Sequence, residues 1–319
     1  MQVSRTGTAL FLTLLASCAT TPVPLVPRDG RPLVTNLHDG EAANFDAVAE
    51  AFARARPGHS LAWLPRCTSL APEPVPRIAF VQRGRSRALL LEADGTRPGA
   101  SGEAGVGDLL VVRPGTTLTL GAPLDLLVFT LPIEPPAAVP SLLRPDDDPR
   151  IADEPGGCAT ESSAYRRLVI TWRGRPGPYA FEGLNAHRVR IVDSFTHHHP
   201  RTGGFDEFYL VQAATPGARI LTSAKVDRIE QPLTVTREEA RTLLVETPLC
   251  AGDLVFLPRG LAHRGLGGIL AHVVTVPGFV PGAEIGLDHH LRAVNEHLGL
   301  QGAEALPFHE AASHAPVVR

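Results

Sequence analysis

Two stretches of this chain repeat one another 145 residues apart. Gly252-Asp253-Leu254-Val255-Phe256-Leu257-Pro258-Arg259-Gly260-Leu261-Ala262-His263 lies without a gap on Gly107-Asp108-Leu109-Leu110-Val111-Val112-Arg113-Pro114-Gly115-Thr116-Thr117-Leu118. The Gly-Asp pair, the apolar run and the second glycine all match. Each copy reads as a short strand closed by a Pro/Gly turn, and similar lengths of strand-rich sequence surround both. A chain built this way folds as two related β units. Its composition agrees: 30 Gly and 30 Pro with a single Met argue against a helical bundle. At 319 residues and 44% hydrophobic, the chain can bury a sizeable core. A formal net charge of −3, with no basic stretch, excludes the positive face of a nucleic-acid binder.

The strand series falls into two sets. The first covers residues 77–81, 88–92, 108–112, 117–120 and 125–131. The second covers 167–172, 179–182, 188–192, 207–212, 219–222, 233–236, 242–246, 253–257 and 269–276. Residues 132–157, rich in Pro and Asp, read as a linker or excursion between them. A helix is expected over 42–54, with Phe45, Val48, Ala49 and Phe52 on one face and Pro57-Gly58 ending it. Another is expected over 288–298. Two sets of short strands with turn signals point to two β-sandwiches or barrels.

Only the second copy carries histidines. Upstream of His263 stand His197-His198-His199 and then Asp206-Glu207-Phe208-Tyr209. On a strand, residues i and i+2 share a face, so His197 and His199 can both point inward while His198 points away. Glu207 opens the next apolar run; Asp206 beside it is the other candidate acid. Three imidazoles and a carboxylate converging inside a barrel would hold a first-row divalent ion. Iron, manganese, nickel, copper and zinc all tolerate such a shell.

These residues resemble the two signatures of the cupin superfamily. Gly252, Pro258, Gly260 and His263 match the second signature, with Gly267 where that pattern has Asn. His197, His199 and Glu207 resemble the first signature. Here seven residues separate His199 from Glu207, more than the signature allows, and Ala214 stands where it has Gly. The resemblance implies an all-β bicupin: two double-stranded β-helix, or jelly-roll, barrels with a few peripheral helices. It implies a degenerate domain at 33–150 without metal ligands, with Leu118 in the place of His263, and a metal-binding domain at 151–319. The implied ligands are His197, His199, Glu207 and His263, with Glu207 also serving as catalytic base. Tyr209 and His272 are candidates to line the pocket. Residues 277–282 read as a lid or belt over the barrel, and His289 and His290 as part of a solvated helix.

The start of the chain carries its own signal. Arg5 precedes an apolar stretch that ends in Leu15-Ala16-Ser17-Cys18, which resembles a bacterial lipoprotein box. The expectation is a signal peptide at 1–17, a lipidated Cys18 and a Pro-rich tether at 18–32. Ala19 after the cysteine implies the outer membrane, facing the periplasm or the cell surface. Cys67, Cys158 and Cys250 lack the paired spacing of a zinc site, and no catalytic role is expected of them. Their number allows one disulfide.

The function implied by the resemblance is a metal-dependent, dioxygenase-type oxidoreductase on a small phenolic or organic-acid substrate. Isomerase and decarboxylase chemistry can use the same shell. The alternative is a non-enzymatic lipoprotein holding a metal or ligand at the membrane. Cupins often pair through their sheets, so a homodimer is compatible with the resemblance.

Overall fold

The structure, a computed structural model, describes residues 29–39, 42–92, 99–154, 165–174 and 177–319. The leader, Cys18, most of the tether and Cys158 lie outside these residues. In chain order the first half contains β1 (Leu33–Asn36), α1 (Phe45–Ala55), β2 (Ser60–Leu70), β3 (Arg77–Arg83) and β4 (Arg85–Glu92). It continues with β5 (Ala100–Gly105), β6 (Leu109–Val112), β7 (Thr116–Thr130) and β8 (Leu142–Leu143). The second half contains β9 (Arg166–Ile170), β10 (Asn185–Asp193), β11 (His197–His198), β12 (Asp206–Ala214) and β13 (Arg219–Ser223). After these come α2 (Val226–Ile229), α3 (Arg237–Ala240), β14 (Val245–Pro248), β15 (Asp253–Leu257), β16 (Ala262–Val276), β17 (Ile285–Gly286) and α4 (Asp288–Leu298).

These strands form two antiparallel, barrel-like sheets with few helices. One runs β5-β4-β7-β3-β6-β8, with β2 on β7. The other runs β1-β15-β12-β16-β10-β9, with β11 and β13 added to β16. The repeated sequence occupies equivalent places in both. A short buried strand, β6 or β15, turns into a 15-residue strand, β7 or β16. What reads as two strands at 117–120 and 125–131 is therefore one. β1 adds to β15 and so extends the second sheet, although its sequence position falls in the first half.

Gly267 stands at a bend. It bends β16 with φ +83°, and a Cβ there would sit 2.5 Å from the Gly217 carbonyl oxygen. An asparagine has no room at that bend.

Other expectations change for local reasons. Residues 233–236 are not a strand; Pro232 opens a 3-10 turn over Pro232–Thr234. Residues 179–182 make only an isolated bridge, Thr171 to Ala180. α3 was unexpected, though its signal was in the sequence as the capping box Thr236/Glu239. β2 was disguised by Pro65 and by Arg66 at φ +52°, where its pairing with β7 shifts register. The helices expected over 42–54 and 288–298 are α1 and α4.

The second sheet is buried on both faces, which is why its strands read as continuous apolar runs rather than alternating ones. Inward residues such as Tyr209, Val211, Ala271 and Val273 fill the second barrel. The alternate residues Phe208, Leu210, Val274 and Val276 pack against Ile78, Phe80, Leu127 and Phe129 of the first barrel. Phe52 of α1 sits in this seam, 5.9 Å from Phe129 and 5.0 Å from Phe208, ring centre to ring centre. The interior of the first barrel is aliphatic, and Leu118 is fully buried within it.

His272 belongs to the seam and not to the pocket. It pairs with Leu210 across β12, on the outward face. Its Nε2–H donates to the Gly107 carbonyl of the first barrel at 2.9 Å, and its ring meets Phe80 edge-on. Burial lowers its pKa to about 3. The unfolded chain takes up a proton near pH 6.5 that the folded chain refuses until about pH 3. Its contribution is therefore full above pH 6.5 and is lost as pH falls from there, at about 1.4 kcal/mol per unit. His272→Gln keeps a donor for Gly107 and cannot titrate. Urea unfolding between pH 7 and 4 is expected to show a shallower loss of stability in this variant than in the parent.

Candidate metal centre

The backbone brings the four residues together before any side chain is considered. β11 lies between β16 and β17, with His197 directly opposite His263 on one side and Gly286 on the other. Asp288, fully buried at the start of α4, accepts hydrogen bonds from the Thr196 and His309 amides and so fixes the approach to β11. The Gly260 amide, in the Pro/Gly turn before His263, donates to the His199 carbonyl at 2.7 Å. The turn that the sequence repeat singled out thus anchors one histidine while presenting another.

Asp206 and Glu207 part company at this point. Asp206 accepts from the Arg56 guanidinium at 2.6 Å and from the Arg259 amide at 2.9 Å. Arg56 also donates to the Gly204 carbonyl. The long loop between His199 and Glu207 is therefore pinned by Arg56, at the end of α1, and its carboxylate is structural. Glu207 turns the other way, into the barrel. His198 also faces away from the barrel, with its Nε2 3.6 Å from Glu230 under α2.

One ligand atom from each of His197, His199, Glu207 and His263 lies within 4.8 Å of all the others, and all four residues are buried. The Nδ1–H of His197 donates to the Phe195 carbonyl at 3.1 Å, and that of His263 to Leu261 at 3.2 Å. These bonds place the lone pairs on Nε2, aimed at the centre. All three Nε2 atoms and Glu207 Oε1 are buried and meet no hydrogen-bond partner. His263 Nε2 stands only 3.2 Å from Glu207 Oε1. A lone pair facing a carboxylate oxygen at that distance is favourable only with a cation or a proton between them. Burial, reinforced by His263, holds His197 and His199 well below the usual histidine range, so both stay in the neutral form that ligates. Metal–nitrogen bonds of about 2.1 Å place neighbouring donors about 3 Å apart. The four residues therefore fit a divalent ion, and their chemistry does not single out one metal.

Aromatic rings wall the cluster. Phe195 stacks on His197 with centroids 4.4 Å apart, and Phe205 lies 3.9 Å from His199. Tyr209 meets His263 edge-on at 6.2 Å, on the same inward face as Glu207. Phe279, in the belt at 277–282, packs on Phe205 and stacks on Trp172. His289 and His290 are half-buried on α4 with their rings tilted against each other; neither joins the cluster. Sequence reasoning missed Glu284. Burial first, and then the charge of Glu207, pushes its carboxyl up to about 7. Its backbone is tied to Arg319 in both directions, and the Arg319 guanidinium lies over Phe195. Nothing local marks Glu284 out; only the docking of the last residues against 282–286 carries it to the site. Among the described residues the first barrel has no comparable cluster.

No protein-family model matches the chain, and no curated protein matches it. Solved structures similar to it include an oxalate decarboxylase of Bacillus subtilis studied for its Mn(II) centres. Identity is 12%, coverage is 76% of this chain and 76% of that one, and the TM-score is 0.47. Another is the Lactobacillus farciminis oxalate decarboxylase formate complex, at 13% identity, 78% and 86% coverage and a TM-score of 0.47.

A metal that binds only the folded chain stabilises it by mass action. Zinc at about 1,000 times its Kd is expected to add about 4 kcal/mol to the unfolding free energy. The melting temperature should rise accordingly, fall again with EDTA, and show no zinc response in His263→Ala.

Proposed function

We propose that this chain is a metal-dependent enzyme of the dioxygenase type, acting on a small phenolic or organic-acid substrate. The carrying observation is the buried set of three unpartnered Nε2 atoms and one unpartnered carboxylate oxygen, closed on a single point. Bound there, the ion would act as a Lewis acid and redox partner, lowering the pKa of a chelating hydroxyl or carboxylate. The chain supplies the rest. His197, His199 and His263 offer nitrogen donors, and backbone carbonyls orient those of His197 and His263. Glu207, whose Oε2 stands 3.9 Å from His199 Nε2, would accept the proton of an incoming hydroxyl. Phe195 and Phe205, packed on His197 and His199, shield those ligands from water.

The test loads the purified chain with iron, manganese, nickel, copper or zinc in turn and supplies catechols and small hydroxy acids. Oxygen consumption that is lost in His197→Ala and Glu207→Gln supports the reading. Carbon dioxide release without oxygen consumption would assign a decarboxylase instead. Stoichiometric metal uptake with neither gas change would point to a non-enzymatic binding module.

We further propose lipid anchoring at Cys18, supported by the Leu15-Ala16-Ser17-Cys18 box after an apolar stretch. Expressed in a Gram-negative host, the full chain is expected to partition into the detergent phase with outer-membrane fractions. Cys18→Ala should move it to the aqueous phase.

A further inference from the structure

The second barrel holds one more polar side chain that its own fold does not use. His187 lies on β10, on the same face as Val189 and Ile191, which fill the barrel interior. Its cross-strand partner is Val273, another interior residue. Only 9% of the residue is exposed, and both ring nitrogens are buried with no hydrogen-bond partner. Leaving a donor and an acceptor unmet inside an apolar barrel is destabilising, and a chain that keeps such a group has a use for it. Among the described residues, the other unpartnered histidine nitrogens on this inward face belong to the metal cluster. Those of His187 do not: it is absent from the set of four ligands.

Strand register places it relative to that cluster. Asn185, Thr275 and Glu207 form one row across β10, β16 and β12. His187, Val273 and Tyr209 form the next row, two residues further along. That is a step of about 7 Å along the strands, with His187 on the wall across β16 from Glu207. Thr275 Oγ1, between the two walls, is likewise buried without a partner. A molecule chelated near Glu207 and extending across β16 towards the next row would meet His187. Arg166 faces inward beside Val189 but is engaged by a partner of its own. The group waiting at the far end is therefore a neutral imidazole, which burial keeps well below the usual histidine range. It offers one donor and one acceptor and no charge.

We infer that His187 reads the end of the substrate remote from the metal, through hydrogen bonds to a neutral hydroxyl or carbonyl group. This rests on the metal-site reading above, and it assigns His187 to specificity rather than to ligation.

The test uses zinc-loaded protein, which is redox-silent, and isothermal titration with two catechols. One bears a hydroxymethyl group and the other a methyl group at the same ring position. The parent is expected to bind the hydroxymethyl compound about tenfold more tightly. His187→Leu should take up zinc normally and lose that preference, and His187→Gln should restore part of it. The metal-free His187→Leu protein should also melt about 2–4 °C higher than the parent, because an unmet polar group has been replaced by an apolar one. A structural role predicts a lower melting temperature instead. Retention of the parent's preference in His187→Leu overturns the inference. So does a destabilised His187→Leu variant, or failure of either catechol to bind the zinc-loaded parent. Absence of zinc uptake by the parent would overturn the metal reading itself.

Discussion

The site and the fold both depend on one strand that belongs to two places. β16 runs for 15 residues and bends at Gly267-Gly268. Before the bend it pairs with β11 and β13 and presents His263 opposite His197. After the bend it pairs with β10 and β12 and lines both the barrel and the seam with the first barrel. A change in its register by one residue would exchange every inward and outward side chain at once. The ligand positions, the aliphatic filling and the contact between barrels are thus fixed together. The same bend leaves no room for a side chain at Gly267. The path of the strand takes precedence over the side chain at that position.

The two barrels share a plan and differ in what they bury. The first is filled by aliphatic side chains that need no partner. The second contains three imidazoles, a carboxylate, a further histidine and a threonine, each with a buried polar atom that has no hydrogen-bond partner in the protein. Each such atom carries a desolvation cost that an ordinary core avoids. In the second barrel the ligand atoms of the cluster gather at one point. Around it, Asp206 with Arg56, Asp288 with the Thr196 amide, and the Gly260 amide with the His199 carbonyl are all satisfied. Rigid, fully bonded supports hold a set of deliberately unbonded groups, which is the organisation expected of a preorganised site.

Much of this was legible in the residues. The gapless match of 107–118 to 252–263 anticipated two β units, and the strand–turn–long-strand arrangement appears in both. The His197/His199 alternation needed only the two-residue period of a strand, and His198 duly faces the other way. Elements were missed where a strong local signal misled. Pro65 hid β2, and alternating apolar residues at 233–236 imitated a strand that Pro232 forbids. The parity of His272 could not be read, because both faces of its strand are apolar; the first barrel supplies the second apolar environment.

The sequence alone determined the kind of fold, the glycines at its bends and the residue types able to hold a cation, since those follow from period, turn chemistry and ligand chemistry. Only the tertiary structure decided which acid faces the centre, because that choice lies in Arg56, 150 residues upstream of Asp206. It also brought Glu284 beside the cluster and turned His272 away from it. These are outcomes of register and of docking between distant segments, and no local pattern in a chain encodes which of its two buried faces will meet which neighbour.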